Sequence, residues 1–436
     1  MPAQKRRGNW TVTSRENSQE CYVYITLPGE TEFVTAGRFQ RAVDRHGVAK
    51  GRFVYGKSYL ARDNAVPIDP IDLKLSTKTY ETTLLNGLFG ALRDASPDYW
   101  GRRVIERHFG SPGPDELDYL LYSPDDRAGA LGFGLNTKPP APKRQFNRTI
   151  DLARLQEFSD AIINNEDLPE NPDAEQAQEL MLDGTSMGGA RPKAVVEAED
   201  ALWIAKFNRP DDRWNHARVE RAMLELARAC GIHTAENKLT TIGDRDALLV
   251  KRFDREHGEA GYQRARMLSA LTLLRAEDTH QDRSNWSYVL LVEELRRISS
   301  KPKADAAELF RRMCFNALIT NNDDHPRNHA VIAMGDEWKL SPAYDLTPAM
   351  PVSVERRDLA MECGDMGRYA HAENLLSQSI RFLVGPDEAE TIIGEMEQTV
   401  RQHWYEIARR EGVSEKDCES IRPAFAYDGF HLSVGK

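Results

Sequence analysis

The densest group of potentially reactive side chains lies in the last third of the chain. An apolar run, Met313 to Ile319, leads into the polar sequence NNDDHPRN at 321–328, and a further carboxylate, Asp345, follows. A carboxylate can accept the proton of an attacking hydroxyl, and Asn and Asp oxygens can hold Mg²⁺ against phosphates. These residues therefore favour phosphoryl transfer, with Asp323 as the base and Asn328 and Asp345 as metal ligands.

The spacing inside this region matches that of protein kinases. Asn328 follows Asp323 at the offset of the kinase pattern HRDxxxxN. Two predicted strands, 330–334 and 338–340, form a hairpin ahead of Asp345. The DFG aspartate of kinases also lies beyond a hairpin, although the tripeptide here is Tyr344-Asp345-Leu346.

The same cluster permits two other interpretations. His325 and His329, with Asp323 or Asp324, could ligate the metal ion of a hydrolase. Alternatively, the Asn and Asp side chains could cap helix ends in a purely structural loop. Residues further upstream favour the kinase interpretation, in which His325 shapes the loop around Asp323.

A glycine-rich segment, GTSMGGA at 184–190, could approach an anion through its backbone amides, and Lys193 adds a positive charge. It is neither a Walker loop nor a GxGxxG fingerprint. Lys206 lies in a predicted half-buried strand, LWIAKFN, where its charge requires a partner. A nucleotide phosphate is one such partner, and Glu220 on the following helix is another. Glycine loop, strand lysine and helix glutamate follow the order of kinase-like phosphate clamps.

Four units are expected along the chain. Residues 1–135 predict an α+β unit with strands in 20–60, a helix from Tyr80 through residue 95, and a second helix capped by Ser96. Residues 136–149, rich in proline and basic side chains, predict a linker. The third and fourth units are a nucleotide-binding small lobe at 150–257 and a mainly helical lobe at 258–436.

Within the small lobe, the hydrophobic pattern predicts helices and strands in alternation. The predicted helices are 150–165, 173–182 and 214–229, and the predicted strands are 194–197, 201–207, 237–242 and 247–253. The strand ending LLVKRFDR, 248–255, is where a kinase-like fold would place its hinge. Backbone groups of Lys251 and Phe253 would then meet an adenine edge.

Composition restricts the function classes. With 436 residues the chain can bury a sizeable core, and its formal net charge of -10 argues against bulk binding of nucleic acid by this chain alone. Five cysteines without CxxC spacing indicate reduced thiols. The sequence contains no run of about 18 apolar residues, so no membrane span is expected. We expect a cytoplasmic protein with no membrane partner.

Longer stretches of the sequence occur in the order found in one known family. They include GLFGALRDASPDYWGRR, GGARPK, WIAKF, LLVKRFDR, NNDDHPRNHAVI and LSPAYDLTP. Because these stretches extend along nearly the whole chain, it resembles the HipA family of serine/threonine kinases, the toxins of bacterial toxin-antitoxin modules. The resemblance implies an α+β, two-lobed protein-kinase-like fold with an N-terminal α+β subdomain and a mainly helical C-terminal lobe.

The resemblance also implies roles for individual residues. The catalytic aspartate falls on Asp323 and the Mg²⁺ ligands on Asn328 and Asp345. A regulatory, autophosphorylated serine falls on Ser186 in the glycine-rich segment. The residues expected to contact ATP are Ser186, Gly188, Gly189, Ala190, Lys193, Lys206, Lys251, Phe253, His325 and Asn328, with Glu220 in support.

Partners follow from the same resemblance. ATP and Mg²⁺ are the implied cofactors, and a translation protein such as an aminoacyl-tRNA synthetase is the implied substrate. A HipB-like helix-turn-helix antitoxin is the implied partner, and operator DNA would be bound mainly through it. Two other function classes stay open. One is a small-molecule phosphotransferase, since motifs that hold ATP do not select the acceptor. The other is a non-enzymatic protein whose acidic surface binds a basic partner.

Overall fold

The structure is a computed structural model that describes residues 18–109, 114–124, 126–141, 146–148, 152–164, 166, 191–350 and 353–431. In chain order it has an N-terminal α+β unit, a small lobe built on a second sheet, and a larger helical lobe. The predicted helix at 173–182 and the glycine-rich segment 184–190 lie outside the described residues. None of the helices described is long and apolar enough to cross a bilayer.

The N-terminal unit is built on an antiparallel five-stranded sheet in the order β4-β3-β2-β1-β5. Its strands are β1 (Ser18–Thr26), β2 (Phe33–Val43), β3 (Ala49–Tyr55), β4 (Tyr80–Thr82) and β5 (Leu131–Gly134). Phe39 and Phe53 lie opposite each other on β2 and β3 and are fully buried. The strands predicted in residues 20–60 are confirmed, except that Lys57–Leu60 forms a helical turn.

The helices of this unit are α1 (Lys57–Leu60), α2 (Gly90–Asp94), α3 (Tyr99–Phe109) and α4 (Glu116–Tyr122). The predicted helix from Tyr80 onward is wrong in its first half, which contains β4 and a 3-10 turn, Leu85–Gly87. The backbone explains the break, because Asn86 and Gly87 both have positive φ angles, 55° and 79°. A continuous helix cannot pass through two such residues.

The predicted cap of α3 is also wrong. Asp98 Oδ1 accepts the N–H of Gly101 at 2.7 Å, so Asp98 and not Ser96 is the capping residue. Ser96 instead closes the turn after α2, where its N–H donates to the carbonyl of Arg93 at 2.9 Å.

The small lobe contains a second five-stranded sheet in the order β6-β7-β8-β10-β9. Its strands are β6 (Asn147–Arg148), β7 (Lys193–Ala198), β8 (Ala201–Phe207), β9 (Asn237–Ile242) and β10 (Arg245–Lys251), and its helices are α5 (Leu152–Asn164) and α6 (His216–Ala229). α6 begins two residues later than predicted because the Asn215 side chain caps it, accepting the N–H of Arg218 at 3.1 Å. Asn147–Arg148, inside the predicted linker, pairs in parallel with β7.

The helical lobe carries a hairpin, a three-stranded sheet and six α-helices among its described residues. The strands are β11 (Arg255–Gly258), β12 (Gly261–Arg264), β13 (Arg266–Ser269), β14 (Ala330–Ala333) and β15 (Lys339–Leu340). The helices are α7 (Ala270–Leu273), α8 (Tyr288–Ile298), α9 (Pro302–Leu318), α10 (Ala372–Ser377), α11 (Pro386–Arg410) and α12 (Glu415–Ile421). The predicted hairpin after residue 329 is confirmed as β14 and β15, which pair antiparallel.

Buried ion pairs fasten the N-terminal unit to the chain that follows β10. The Arg252 guanidinium contacts Asp126 and lies 2.9 Å from Asp254 Oδ2. Asp254 also accepts the N–H of Gly129 at 2.8 Å. All three charged side chains are buried. Because buried charges are costly unless paired, Arg252 and Asp126 depend on each other, while Asp254 also pairs with Arg255 Nη1 at 2.7 Å, and the predicted hinge is held against residues 126–129.

Replacing Arg252 with leucine should test this attachment. The variant leaves Asp126 and Asp254 without their shared cation, and we expect unfolding free energy to fall by roughly 3–5 kcal/mol. Urea unfolding measures the change. Arg38→Ala is the control: its pair with Glu20 is long, at 3.6 Å, and about half exposed, so its loss should cost under about 1 kcal/mol. Equal losses in the two variants would contradict the account.

Candidate active site

Lys206 on β8 joins three separate parts of the fold. Its ammonium lies 2.5 Å from Glu220 Oε1 on α6 and 2.9 Å from Asp345 Oδ1 in the helical lobe. The lysine side chain is only 16% exposed, so its charge needs these partners. The predicted strand lysine, helix glutamate and downstream aspartate are therefore in direct contact.

The three charges shift one another's ionisation. Burial raises the pKa of Asp345, but the charge and hydrogen bond of Lys206, together with smaller contributions from His325 and Lys193, outweigh burial and lower that pKa to about 2. Burial lowers the pKa of Lys206, and the two carboxylates reverse this and raise it above the usual lysine value. Burial and the negative charge of Asp345 raise the pKa of Glu220, Lys206 opposes them, and the net pKa lies above the usual glutamate value. Asp345 is consequently an anion, and Lys206 a cation, at neutral pH.

The backbone at Asp345 adopts an unusual conformation. Its φ angle is 60°, in the left-handed region that residues other than glycine seldom occupy. The preceding Tyr344 packs against Phe253 with ring centroids 5.5 Å apart, and its hydroxyl donates to the carbonyl of Arg327 at 2.8 Å. These contacts fix the segment and point the Asp345 carboxylate at Lys206.

The polar loop folds around the carbonyl oxygen of Asp323. The N–H of His325 donates to this oxygen at 2.9 Å, and Asn328 Nδ2 donates to it at 3.2 Å. A 3-10 turn, Pro326–Asn328, brings the predicted base and metal ligand together. The hydrogen bond that His325 gives to the loop comes from its backbone, and its Nδ1 is buried without a hydrogen-bond partner in the described structure.

Asp324 anchors the polar loop to buried residues of the helical lobe. Its carboxylate accepts from the Tyr288 hydroxyl and lies 2.9 Å from Nε2 of His329. Asn316 Nδ2 donates to the same tyrosine oxygen at 3.2 Å. Both Asp324 and His329 are buried in this network. Two of the candidate ligands of a hydrolase metal, Asp324 and His329, are thus paired with each other, and the described residues hold no group of three or more His, Cys, Asp or Glu suited to a metal ion.

Asp323 differs from its neighbour in being exposed. Partial desolvation raises its pKa above the ordinary aspartate value, His325 opposes the shift, and the negative charges of Asp345 and Asp324 add to it. A carboxylate whose pKa is raised holds a proton more tightly, which favours a role as general base.

These residues share a cleft of about 410 Å³, a size typical of small-molecule sites. The predicted residues that line it are Lys193, Lys206, Glu220, Lys251, Phe253, Asp323, His325, Asn328 and Asp345. The other predicted nucleotide contacts, Ser186, Gly188, Gly189 and Ala190, lie outside the described residues.

The predicted hinge side of the cleft combines apolar side chains with one backbone amide, that of Phe253, since the N–H groups of Lys251 and Arg252 donate to the carbonyls of Glu236 and Leu202. Ile204, Val250 and Met267 line this wall together with Phe253. The N–H of Phe253 donates to no backbone oxygen of the described chain. An apolar slot beside an available amide suits a planar base that presents a hydrogen-bonding edge.

The N-terminal unit contributes residues that the sequence did not predict for this site. Asp94 and Ser96 line the cleft. Asp94 accepts the N–H of Ser269 and the hydroxyl of Thr272, each at 2.7 Å. Asp98 lies 3.1 Å from the ammonium of Lys193. The only sequence signal for Asp98 was its position before a helix, which marks a cap and not a contact with the cleft.

Two family models match this chain. Residues 185–404 match the HipA-like C-terminal domain, and residues 34–134 match the HipA N-terminal domain. The chain belongs to the HipA family. Relatives of this HipA-family chain include "Putative kinase Y4mE" of Sinorhizobium fredii (strain NBRC 101917 / NGR234), 25% identical over 74% of this chain and 77% of that protein. "Putative kinase Y4dM" of the same strain is 29% identical over 38% of this chain and 41% of that protein.

A solved structure supports the same fold. It is the Shewanella oneidensis MR-1 toxin-antitoxin system HipA, HipB and its operator DNA complex. The matching chain has a TM-score of 0.65 and 16% identity, with 92% of this chain and 94% of that chain covered. The predicted α+β fold with kinase-like lobes is thereby confirmed.

The HipA-family cleft fits a nucleotide with Mg²⁺. Asp345 and Asn328 offer carboxylate and amide oxygens, the donors that Mg²⁺ prefers. Asn328 Nδ2 donates to the Asp323 carbonyl, so the side-chain oxygen of Asn328 is available to a ligand. Lys206 would supply a cation for phosphate oxygens.

The Lys206–Asp345 pair predicts a pH dependence of stability. Because the folded pKa of Asp345 is about 2, below the ordinary 3.8, its ionised form stabilises the fold fully above that ordinary value. This stabilisation is lost as pH falls toward 2. The melting-temperature gap between the parent and Asp345→Asn should stay constant from about pH 8 to pH 5 and narrow below about pH 4.

Thermal melts across this pH range measure the gap. Asp336→Asn is the control, since its carboxylate is 88% exposed and lies 3.9 Å from Arg266. This control should show no appreciable gap at any pH. A gap for Asp345→Asn that widens on acidification would contradict the account.

Proposed function

We propose that this HipA-family chain is an ATP- and Mg²⁺-dependent serine/threonine kinase. The observation that carries the proposal is the contact of Lys206 with both Glu220 and Asp345 in a cleft that Asp323 and Asn328 also line. Phosphoryl transfer depends on placing a cation, metal ligands and a base around the phosphates, and this cleft offers each of them.

In the proposed reaction, the oxygen of the substrate hydroxyl attacks the γ-phosphate of ATP, and Asp323 accepts the proton of that hydroxyl. The bond from the γ-phosphorus to the bridging oxygen breaks, and ADP leaves with the electron pair. Lys206 neutralises phosphate charge, and Asn328 and Asp345 would hold the metal. Mg²⁺ bound there supplies charge neutralisation on the phosphates. Backbone groups of the hinge at 251–253 orient the adenine base of ATP.

The biological role proposed is that of a toxin in a toxin-antitoxin module. Family membership supports it, together with the likeness in fold to a chain of the HipA, HipB and operator DNA complex. The proposed partner is a HipB-like helix-turn-helix antitoxin, which would carry DNA binding. The net charge of -10 suits a basic partner better than direct contact with DNA.

The proposed substrate is a translation protein such as an aminoacyl-tRNA synthetase, and Ser186 is the proposed site of autophosphorylation. A phosphate dianion in a segment that serves to bind phosphate would compete with the nucleotide. Modification of Ser186 would therefore switch the enzyme off.

Replacing Asp323 with asparagine should lower turnover by roughly 10²- to 10⁴-fold, the usual contribution of a positioned base. Because the side chain is exposed, the fold should be retained. Steady-state ADP release measures the change. Asp336→Asn, on the hairpin turn away from the cleft, should keep the parental rate. Parental turnover in Asp323→Asn would remove this residue from the mechanism.

The class of acceptor is tested with ATP labelled on its γ-phosphate, added to cell lysate together with the protein. We expect label in a discrete protein band and, by peptide mapping of the kinase itself, on Ser186. A Ser186→Ala variant should lose the self-label and keep the substrate band. Label confined to small molecules would show a small-molecule phosphotransferase. Self-label on other peptides would contradict the assignment of Ser186.

A further inference from the structure

Lys193, the first residue of β7, is held at two points, by the residue that caps α3 and by the first turn of α3. Its ammonium lies 3.1 Å from Asp98 Oδ2, and its carbonyl accepts Nε1–H of Trp100 at 3.2 Å. The ion pair is almost fully enclosed, with side-chain exposures of 4% for the lysine and 5% for the aspartate. Both the backbone and the side chain of one small-lobe residue therefore depend on the N-terminal unit.

The aspartate is itself rigidly placed. One oxygen of Asp98 caps α3 through the N–H of Gly101 at 2.7 Å, and the other oxygen takes the ammonium. Trp100 belongs to the same buried cluster as Ala205 and Phe207 of β8. α3 thus packs on the small-lobe sheet, and its carboxylate has little freedom to leave the lysine.

The position of Lys193 in the sheet explains why this carboxylate is needed. Lys193 lies directly opposite Lys206 in the antiparallel pairing of β7 with β8. Like charges opposite each other on neighbouring strands destabilise a sheet. The two lysines have separate partners: Asp98 for the first, Glu220 and Asp345 for the second.

We propose that Asp98 is a positioning residue for the phosphate end of the nucleotide cleft, acting through Lys193. It fixes the start of β7, which follows the glycine-rich segment, and draws one of two facing lysine charges away from the other. This inference rests on the proposed nucleotide-dependent function. It assigns Lys193 a role different from the direct phosphate contact expected from the sequence.

The two roles of Lys193 predict opposite results for Asp98→Asn. If Asp98 positions the cleft, its loss displaces β7, and the KM for ATP rises. If Lys193 binds phosphate directly, the loss of Asp98 releases the ammonium to the nucleotide, and the KM for ATP falls or stays constant. If Asp98 were merely structural, Asp98→Asn would lower the melting temperature without changing KM and kcat to different extents.

The experiment is a double-mutant cycle on the full chain with Asp98→Asn, Lys193→Met and the double variant. We expect each single change to raise the KM for ATP roughly 10- to 100-fold, the scale of a misplacement of about 1 Å, with a smaller change in kcat. The double variant should be no worse than either single one, because the pair acts as a unit. Asp98→Glu, which keeps the carboxylate, should recover part of the loss.

A second double variant guards against failure to fold. Asp98→Leu with Lys193→Met replaces the buried pair by apolar side chains, which proteins often tolerate, and it should fold and keep the raised KM. If the parent is active, an unchanged or lower KM for ATP in Asp98→Asn overturns the Asp98 proposal and leaves the proposed function standing. Additive losses in the cycle have the same consequence. A parent that neither binds nor turns over ATP overturns the proposed function and this inference together.

Discussion

The charge of Lys206 is the constraint on which the rest of the structure depends. A lysine that is 16% exposed on a strand must be paired, and its two carboxylates come from α6 and from the helical lobe. Satisfying one ammonium therefore fixes a strand, a helix and the left-handed turn at Asp345 relative to one another. The cleft between them owes its shape to this requirement.

A second level of support lies beneath the polar loop. Asp324, Tyr288 and His329 form a buried network in which each polar group is expensive without the others. The network uses the carboxylate next to Asp323 and so leaves only Asp323 open to the cleft. Two adjacent aspartates thus have different surroundings: Asp324 is buried in the network, and Asp323 is exposed.

The sequence predicted what depends on local pattern. The hairpin after residue 329, the strand around Lys206 and the order of the site residues all follow from short-range spacing and periodicity. It did not predict Asp98 or Asp126, whose partners lie far along the chain, since a pairing between distant segments leaves no periodic signal. The helix predicted from Tyr80 failed because the positive φ at Asn86 and Gly87 overrides a helical pattern.

We propose above all that Asp345 holds Mg²⁺ on a nucleotide bound beside Lys206. The most direct measurement is the affinity for ATP by titration calorimetry, with and without Mg²⁺, in the parent and in Asp345→Asn. The account predicts that Mg²⁺ strengthens ATP binding to the parent and that this strengthening is lost in the variant. An equal effect of Mg²⁺ on both proteins would contradict it.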